Sequence, residues 1–167
     1  MVPQEGLDGS VTSLILADAL PYELMMLEQT FVRLSFPQAD GCITNALIES
    51  FCVHARQLID FFENKKGVRA DQFTNGTYEA AHLSSVPSSV RKKLNREIAH
   101  VTQKEPADPS EKVGPEERAH LLLTLVLEAQ RFISLLSEFD RGIIRRNYLS
   151  VVHWGPAQAL PAASPDK

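Results

Sequence analysis

The chain has 167 residues, which is the usual size of one domain. Its share of hydrophobic residues, 44%, and of charged residues, 23%, exclude wholesale disorder. A net charge of −4 argues against a dedicated nucleic-acid coat, and two cysteines exclude a disulfide scaffold and a four-cysteine zinc site. No apolar run approaches the ~18 residues of a membrane span, and the first ten residues lack a signal-peptide pattern. We therefore expect a cytoplasmic protein that does not contact a membrane.

The first predicted helix covers 18–35. Asp18 can cap it, and Pro21 then falls in the first turn, where a missing N–H group is tolerated. Pro37 ends it. The preceding residues, 11–16, fit either a helix or a strand. One buried face is predicted by apolar residues at spacings of three and four: Leu20, Leu24, Leu27, Phe31 and Leu34.

The second predicted helix covers 40–65 and has the clearest pattern in the chain. Asp40 or Thr44 can cap it, and Gly67 stops it. Its buried face contains a histidine among apolar residues: Ile43, Leu47, Phe51, His54, Leu58, Phe61 and Phe62.

Residues 67–85 show no periodicity and predict a long structured loop that crosses one end of a helix bundle. The third predicted helix covers 86–104, with Ser85 as its cap and Pro87 in its first turn. Its apolar stripe consists of Val90, Leu94, Ile98 and Val101.

The fourth predicted helix covers 115–141 and stops at Gly142, with acidic residues at its positive end. Residues 143–154 fit a short helix or a strand: their β-branched content favours a strand, but a single strand would have no sheet to join, so both remain open. Residues 155–167 are rich in proline and alanine without a period, which predicts a disordered tail.

Four amphipathic helices predict an all-α protein. We expect a single domain over 1–154: a four-helix bundle with a long crossover loop and a short C-terminal extension. The fourth helix is apolar on more than one side, at Leu121–Leu123 and Leu125–Leu127, so it predicts a second buried surface and hence a homodimer.

The second helix carries a polar cluster within its apolar run. His54 lies on the buried stripe, so it either bonds a neighbouring helix or serves a catalytic or metal-binding site. Arg56 and Asp60 are spaced i, i+4 and can form an ion pair on the helix face. Both roles, structural and functional, remain open for these three residues.

The third helix carries the sharper pattern, LNREIAHVT. Residues 65–104 hold a net charge of +5, and within them Arg96 and His100 lie one turn apart, off the apolar stripe, beside Asn95. Arginine neutralises a phosphate with a planar fork, and histidine moves a proton near neutral pH. Metal-free RNA cleavage needs these two functions, because the 2′-OH of the RNA is the nucleophile. A solvated helix face is the alternative interpretation.

The bundle, together with an arginine and a histidine beside an asparagine on a late helix, resembles the HEPN superfamily of small α-helical bundles. The segments ALIESFCVHARQLIDFF and LNREIAHVT also resemble uncharacterised bacterial helical proteins. Active HEPN proteins are dimeric, metal-independent endoribonucleases of toxin–antitoxin, anti-phage and CRISPR systems, with their motifs at the dimer cleft. The resemblance implies that Arg96 binds the scissile phosphate and His100 is the general acid and base. It also implies RNA as substrate and a homodimer, with a protein partner such as an antitoxin.

Most familiar enzyme motifs are absent: a glycine-rich phosphate loop, HExxH, CxxC and a Gly-x-Ser-x-Gly elbow. We expect no cofactor and no metal site. Three hypotheses remain: a HEPN-like endoribonuclease, with Asn95, His54, Arg56 and Asp60 in support of Arg96 and His100; a non-catalytic dimerisation or partner-binding module of the same fold; and a small-molecule or metal-binding bundle built around His54.

Overall fold

The computed structural model describes residues 9–38, 40–65, 67–98 and 112–152. These residues form helices and no strand, which confirms the all-α prediction. The predicted tail at 155–167 and the predicted end of the third helix at 99–104 lie outside them. The helices in this part of the chain are α1 (Gly9–Leu34), α2 (Gly41–Phe62), α3 (Ser88–Ile98), α4 (Pro115–Leu135) and α5 (Glu138–Val152).

Helix α1 begins at Gly9, well before the predicted start at residue 18. Its stretch Ile15–Ala19 is a π-helical turn, in which the N–H of Leu20 donates to the carbonyl of Ile15. The turn lies just before Pro21, whose nitrogen cannot donate the next α-helical hydrogen bond. Residues 11–16 are therefore helical, and the assignment of Asp18 as a cap is wrong because the chain is already helical there.

By length and composition alone, α1 is apolar enough to be a candidate membrane span. The expectation that no segment reaches this threshold was wrong. Mostly buried core helices of soluble proteins and signal sequences near an N-terminus pass the same test, and 29% of the apolar window is buried here. One face of α1 does enter the core, through Leu16, Leu20, Leu24 and Leu27, each at most 3% exposed.

Helix α2 starts where the sequence predicts and ends earlier. The Asp40 carboxylate accepts a hydrogen bond from the N–H of Cys42 at 2.7 Å, which confirms this cap. The helix ends at Phe62 rather than residue 65, because Asn64 adopts a left-handed φ of 58°. Helix α2 packs most extensively on α1 and also contacts α3 and α4.

The segment between α2 and α3 contains two 3-10 turns, Ala70–Phe73 and Leu83–Ser85. An aromatic cluster fixes it to the helices, with ring centroids 5.2 to 6.1 Å apart. Its members are Phe61, Phe62, Phe73, Tyr78 and Phe132.

A buried carboxylate holds the same segment to α4. Glu128 is fully buried and accepts hydrogen bonds from the Tyr78 hydroxyl at 2.6 Å and from the N–H groups of Ala81 and His82 at 3.1 and 2.6 Å. Burial, together with Glu128, raises the pKa of Tyr78 far above its ordinary value. The phenol therefore stays protonated and remains a donor.

Helix α3 begins at Ser88, so the prediction that Ser85 caps it is wrong. The Ser85 hydroxyl instead donates to the carbonyl of His82 at 2.7 Å and closes the second 3-10 turn. Pro87 precedes the helix, and its carbonyl accepts the N–H of Arg91 at 3.1 Å.

Helix α4 begins at Pro115 as predicted but ends at Leu135, short of the predicted residue 141. Ser137 starts α5, because its hydroxyl accepts the N–H of Asp140 at 3.1 Å and donates to the Asp140 carboxylate at 2.7 Å. Gly142 therefore lies inside a helix. Of the helix and the strand left open for 143–154, the described residues 143–152 form the helix: α5 continues to Val152 and packs against α1.

An ion pair joins α3 to the start of α4. Lys93 Nζ lies 2.8 Å from Glu117 Oε1, and the N–H of Gly114 donates to Glu117 Oε2 at 2.8 Å. Burial alone would raise the pKa of Glu117, but the Lys93 and Gly114 hydrogen bonds and the nearby positive charges outweigh it and hold the pKa below its ordinary 4.5.

Glu117→Gln is expected to lower the free energy of unfolding by about 1–2 kcal/mol at pH 7, because Lys93 loses its charged partner. A carboxylate with a lowered pKa stabilises the fold above pH 4.5, and this contribution disappears as the pH falls through the folded-state pKa. The difference in the free energy of unfolding between the parent and Glu117→Gln, measured by urea unfolding, should therefore become smaller below pH 4.5. The exposed Glu116→Gln is the control, and a difference independent of pH contradicts the assignment.

Candidate functional site

His54 faces α1 from the buried side of α2. It is 8% exposed, and its Nδ1 lies 2.7 Å from Oε2 of Glu23. The Tyr22 ring meets the imidazole edge to face at 5.7 Å between centroids. This contact with Glu23 on a neighbouring helix fits the structural alternative for His54.

His54→Ala is expected to lower the free energy of unfolding by about 1–3 kcal/mol, because it leaves Glu23 without this partner and opens a small cavity. His82→Ala is the matched control, since the His82 side chain is exposed and the change should stay within about 0.5 kcal/mol. Thermal and urea unfolding measure both. An unchanged stability of His54→Ala would remove the structural role.

A polar cleft of about 270 Å³ opens between α2 and α3. We call it the α2–α3 cleft. Its lining includes charged side chains of both signs and one amide, together with one apolar side chain from each of the two helices. The lining residues are Arg56, Ile59, Asp60, Lys65, Arg91, Leu94 and Asn95.

Glu63 organises two of the cationic groups in the cleft. Its carboxylate lies 2.7 Å from Nη2 of Arg91 and also pairs with Lys65. Burial would raise the pKa of Glu63, but these hydrogen bonds and positive charges outweigh it and lower the pKa. Arg91 also donates to the carbonyl of Leu83 at 2.6 Å, so it braces the end of the second 3-10 turn as well as lining the cleft.

Arg56 is held less tightly. Its Nε lies 3.9 Å from Oδ2 of Asp60, one helical turn further along α2, which is beyond hydrogen-bonding distance. Within the described part of the chain the guanidinium makes no hydrogen bond, so its donors can reach a ligand in the cleft.

The structure brings three of the predicted site residues together: Arg56, Asp60 and Asn95 line one cleft. His54 belongs to the opposite contact, with α1. Arg96 follows Asn95 on α3 and is partly buried, and His100 lies outside the described residues.

Sequence reasoning missed the other polar groups of the cleft. Arg91 lies four residues before Asn95 and so shares its helix face, a spacing that could have identified it. Lys65 and Glu63 lie beyond the end of α2, and their contribution depends on tertiary packing.

Among the residues that the structure describes, no group of three or more His, Cys, Asp or Glu side chains could hold a metal ion. Comparisons with protein-family models, with curated proteins and with solved structures found no match to this chain. The site must therefore be interpreted from its own chemistry.

Proposed function

We propose that this chain is a HEPN-like helical protein that binds single-stranded RNA at the α2–α3 cleft and cleaves it without a metal. The observation that carries the proposal is the convergence of Arg56, Asp60 and Asn95 on one polar cleft, with Arg96 the next residue after Asn95 in the chain. These residues come from two distant parts of the sequence. The resemblance to the HEPN superfamily lies in the bundle and in the segment around Asn95 and Arg96, whereas the segment of α2 resembles only uncharacterised helical proteins.

The proposed chemistry gives each residue a separate task. Arg96 and Arg56 neutralise phosphate charge through planar forks. Asn95 can donate to a phosphate or ribose oxygen and also accept from a hydroxyl. His100 takes the proton of the 2′-OH and returns a proton to the leaving 5′-oxygen. No cofactor is needed for this reaction.

The proposed assembly is a cytoplasmic homodimer of four-helix bundles, with 67–85 as the crossover loop and α5 as an added helix. Support comes from α4, where Leu123 is 60% exposed and Leu127, one turn later, is 39% exposed. A dimer would cover these leucines and bring two clefts into one particle. We also propose that the dimer binds a protein partner of the antitoxin type and that it does not contact a membrane.

The second candidate function is a non-catalytic partner-binding module. It is favoured by exposed apolar side chains elsewhere, above all Phe139 at 73% and Phe36 at 65% exposure. This candidate predicts stable folding and self-association without any effect on RNA.

RNA binding tests the cleft directly. Arg56→Ala should weaken binding of a fluorescent single-stranded oligoribonucleotide about tenfold, since a charge-assisted contact is worth about 1.5 kcal/mol. A plot of the logarithm of the association constant against the logarithm of the salt concentration should also become shallower by about 0.7, because one phosphate contact is removed.

Asn95→Ala should weaken binding of the same oligoribonucleotide without changing the salt slope, because it removes a neutral group. Arg33→Ala removes an exposed arginine from α1 and serves as the charge-matched control. Equal affinities for the parent, Arg56→Ala and Arg33→Ala in fluorescence anisotropy contradict a phosphate site in the cleft.

A further inference from the structure

A second and larger cavity lies between α1 and α2, on the other side of Arg56. It has a volume of about 580 Å³, within the range of sites that hold small molecules. Its walls are mostly apolar, with contributions from Ile15, Leu20, Val53 and Phe61. We call it the π-turn groove, because Ile15 and Ala19 of the π-helical turn line it.

Two local backbone features accompany this groove. The π turn widens α1 by placing an extra residue in one turn, and such turns are frequent at functional sites. At the other end, Gly67 adopts a φ of +62°, and a side chain built there would meet nothing within 4 Å. Glycine supplies this conformation at no steric cost, so the chain can turn away and leave the groove open.

Among the described residues, three charged side chains and the amide of Gln57 line the mostly apolar groove; the charged ones are Glu23, Arg56 and Asp60. Glu23 gives its Oε2 atom to His54, which leaves Oε1 able to accept from a ligand. Arg56 and Asp60 are 3.9 Å apart, so neither satisfies the other by a hydrogen bond. The groove thus presents one cationic fork and two acidic acceptors on an apolar wall.

We propose that the π-turn groove binds a small zwitterion with an apolar body, of which an apolar α-amino acid is the simplest example. The ligand carboxylate pairs with the Arg56 fork, and its ammonium pairs with Asp60 or Glu23. Its apolar side chain packs against Leu20 and Phe61. A ligand with a single charge leaves the opposite protein charge unpaired, which costs affinity. This binding needs no RNA cleavage, but it uses Arg56 and Asp60, which also line the α2–α3 cleft, so the zwitterion and an RNA phosphate would compete for Arg56.

Isothermal titration calorimetry of the full chain tests the ligand class. L-phenylalanine and L-leucine are the zwitterions, 3-phenylpropionate lacks the ammonium, and 2-phenylethylamine lacks the carboxylate. The zwitterions should bind at least tenfold more tightly than either singly charged compound. Equal or tighter binding of a singly charged compound, or no binding of any zwitterion, overturns the proposal.

Two variants then locate the ligand. Ala19→Trp fills the groove and should abolish binding of L-phenylalanine, whereas Ala119→Trp places the same bulk on an exposed position of α4 and should not change it. Arg56→Gln is the second variant and does not depend on how α1 accommodates a tryptophan. It should weaken L-phenylalanine binding about tenfold and leave 2-phenylethylamine binding unchanged. Full binding in Arg56→Gln overturns the assignment.

Discussion

Replacing Glu128 by alanine is expected to lower the free energy of unfolding by about 3–5 kcal/mol. The carboxylate is fully buried and accepts from the Tyr78 hydroxyl and the N–H groups of Ala81 and His82. Alanine leaves three donors without an acceptor and opens a cavity beneath the aromatic cluster. The segment 67–85 should lose protection from hydrogen exchange before α1 and α2 do.

Urea unfolding followed by circular dichroism measures this change, with the exposed Glu116→Ala as the matched control. Glu116→Ala should stay within about 0.5 kcal/mol of the parent. Glu128→Gln should fall between the two, since it keeps one acceptor oxygen but turns an NH₂ group towards a donor. A loss below about 1 kcal/mol in Glu128→Ala would show that the carboxylate does not anchor the segment.

His100→Ala is expected to slow RNA cleavage by about 10²–10⁴-fold, because it removes the group that transfers the proton. Arg96→Ala removes phosphate neutralisation and should also inactivate the protein. Arg96→Lys should restore little of the cleavage rate lost in Arg96→Ala, since an ammonium group cannot make the two parallel hydrogen bonds of a planar guanidinium. Time courses on a labelled RNA at matched protein concentration measure all three.

The sequence pattern predicts that both residues lie off the apolar stripe, so the alanine variants should keep the stability of the parent within about 0.5 kcal/mol. His120→Ala, an exposed histidine early in α4, is the control for nonspecific loss of a histidine. Cleavage at the parent rate in both His100→Ala and Arg96→Ala would assign the activity elsewhere.

The helical class and most of the buried faces follow from the sequence because apolar spacing records which side of a helix is covered. The buried leucines of α1, the Asp40 cap and the Pro115 start are examples. Ile43 is an exception: it was predicted on the buried face of α2, but it lies in the first turn of the helix and is 51% exposed. The break between α4 and α5 was missed although its signal is present. Ser137 and Asp140 form a local cap that overrides the continuing leucine stripe.

The choice between helix and strand for 143–154 stayed open for a different reason. β-branched residues disfavour a helix by only a few tenths of a kcal/mol each, and burial against α1 outweighs that preference. Ile143 and Ile144 are 8% and 2% exposed. Propensity is a weak guide wherever tertiary packing supplies the larger energy.

The candidate site was predicted only in part. Helical spacing predicted the Arg56–Asp60 pair and the burial of His54, because both depend on one helix. The convergence of α2 with Asn95 and Arg91, and the role of Glu63 between two cations, depend on how helices distant in sequence pack. No pattern within a single segment encodes that contact.

Incubation of the purified full chain with a mixed RNA pool, with and without a metal chelator, tests the central proposal most directly. The proposed chemistry predicts cleavage in both conditions, with 2′,3′-cyclic phosphate ends because the 2′-OH attacks the phosphate. Intact RNA in both conditions, with an active control nuclease beside it, contradicts the nuclease proposal and leaves the partner-binding module.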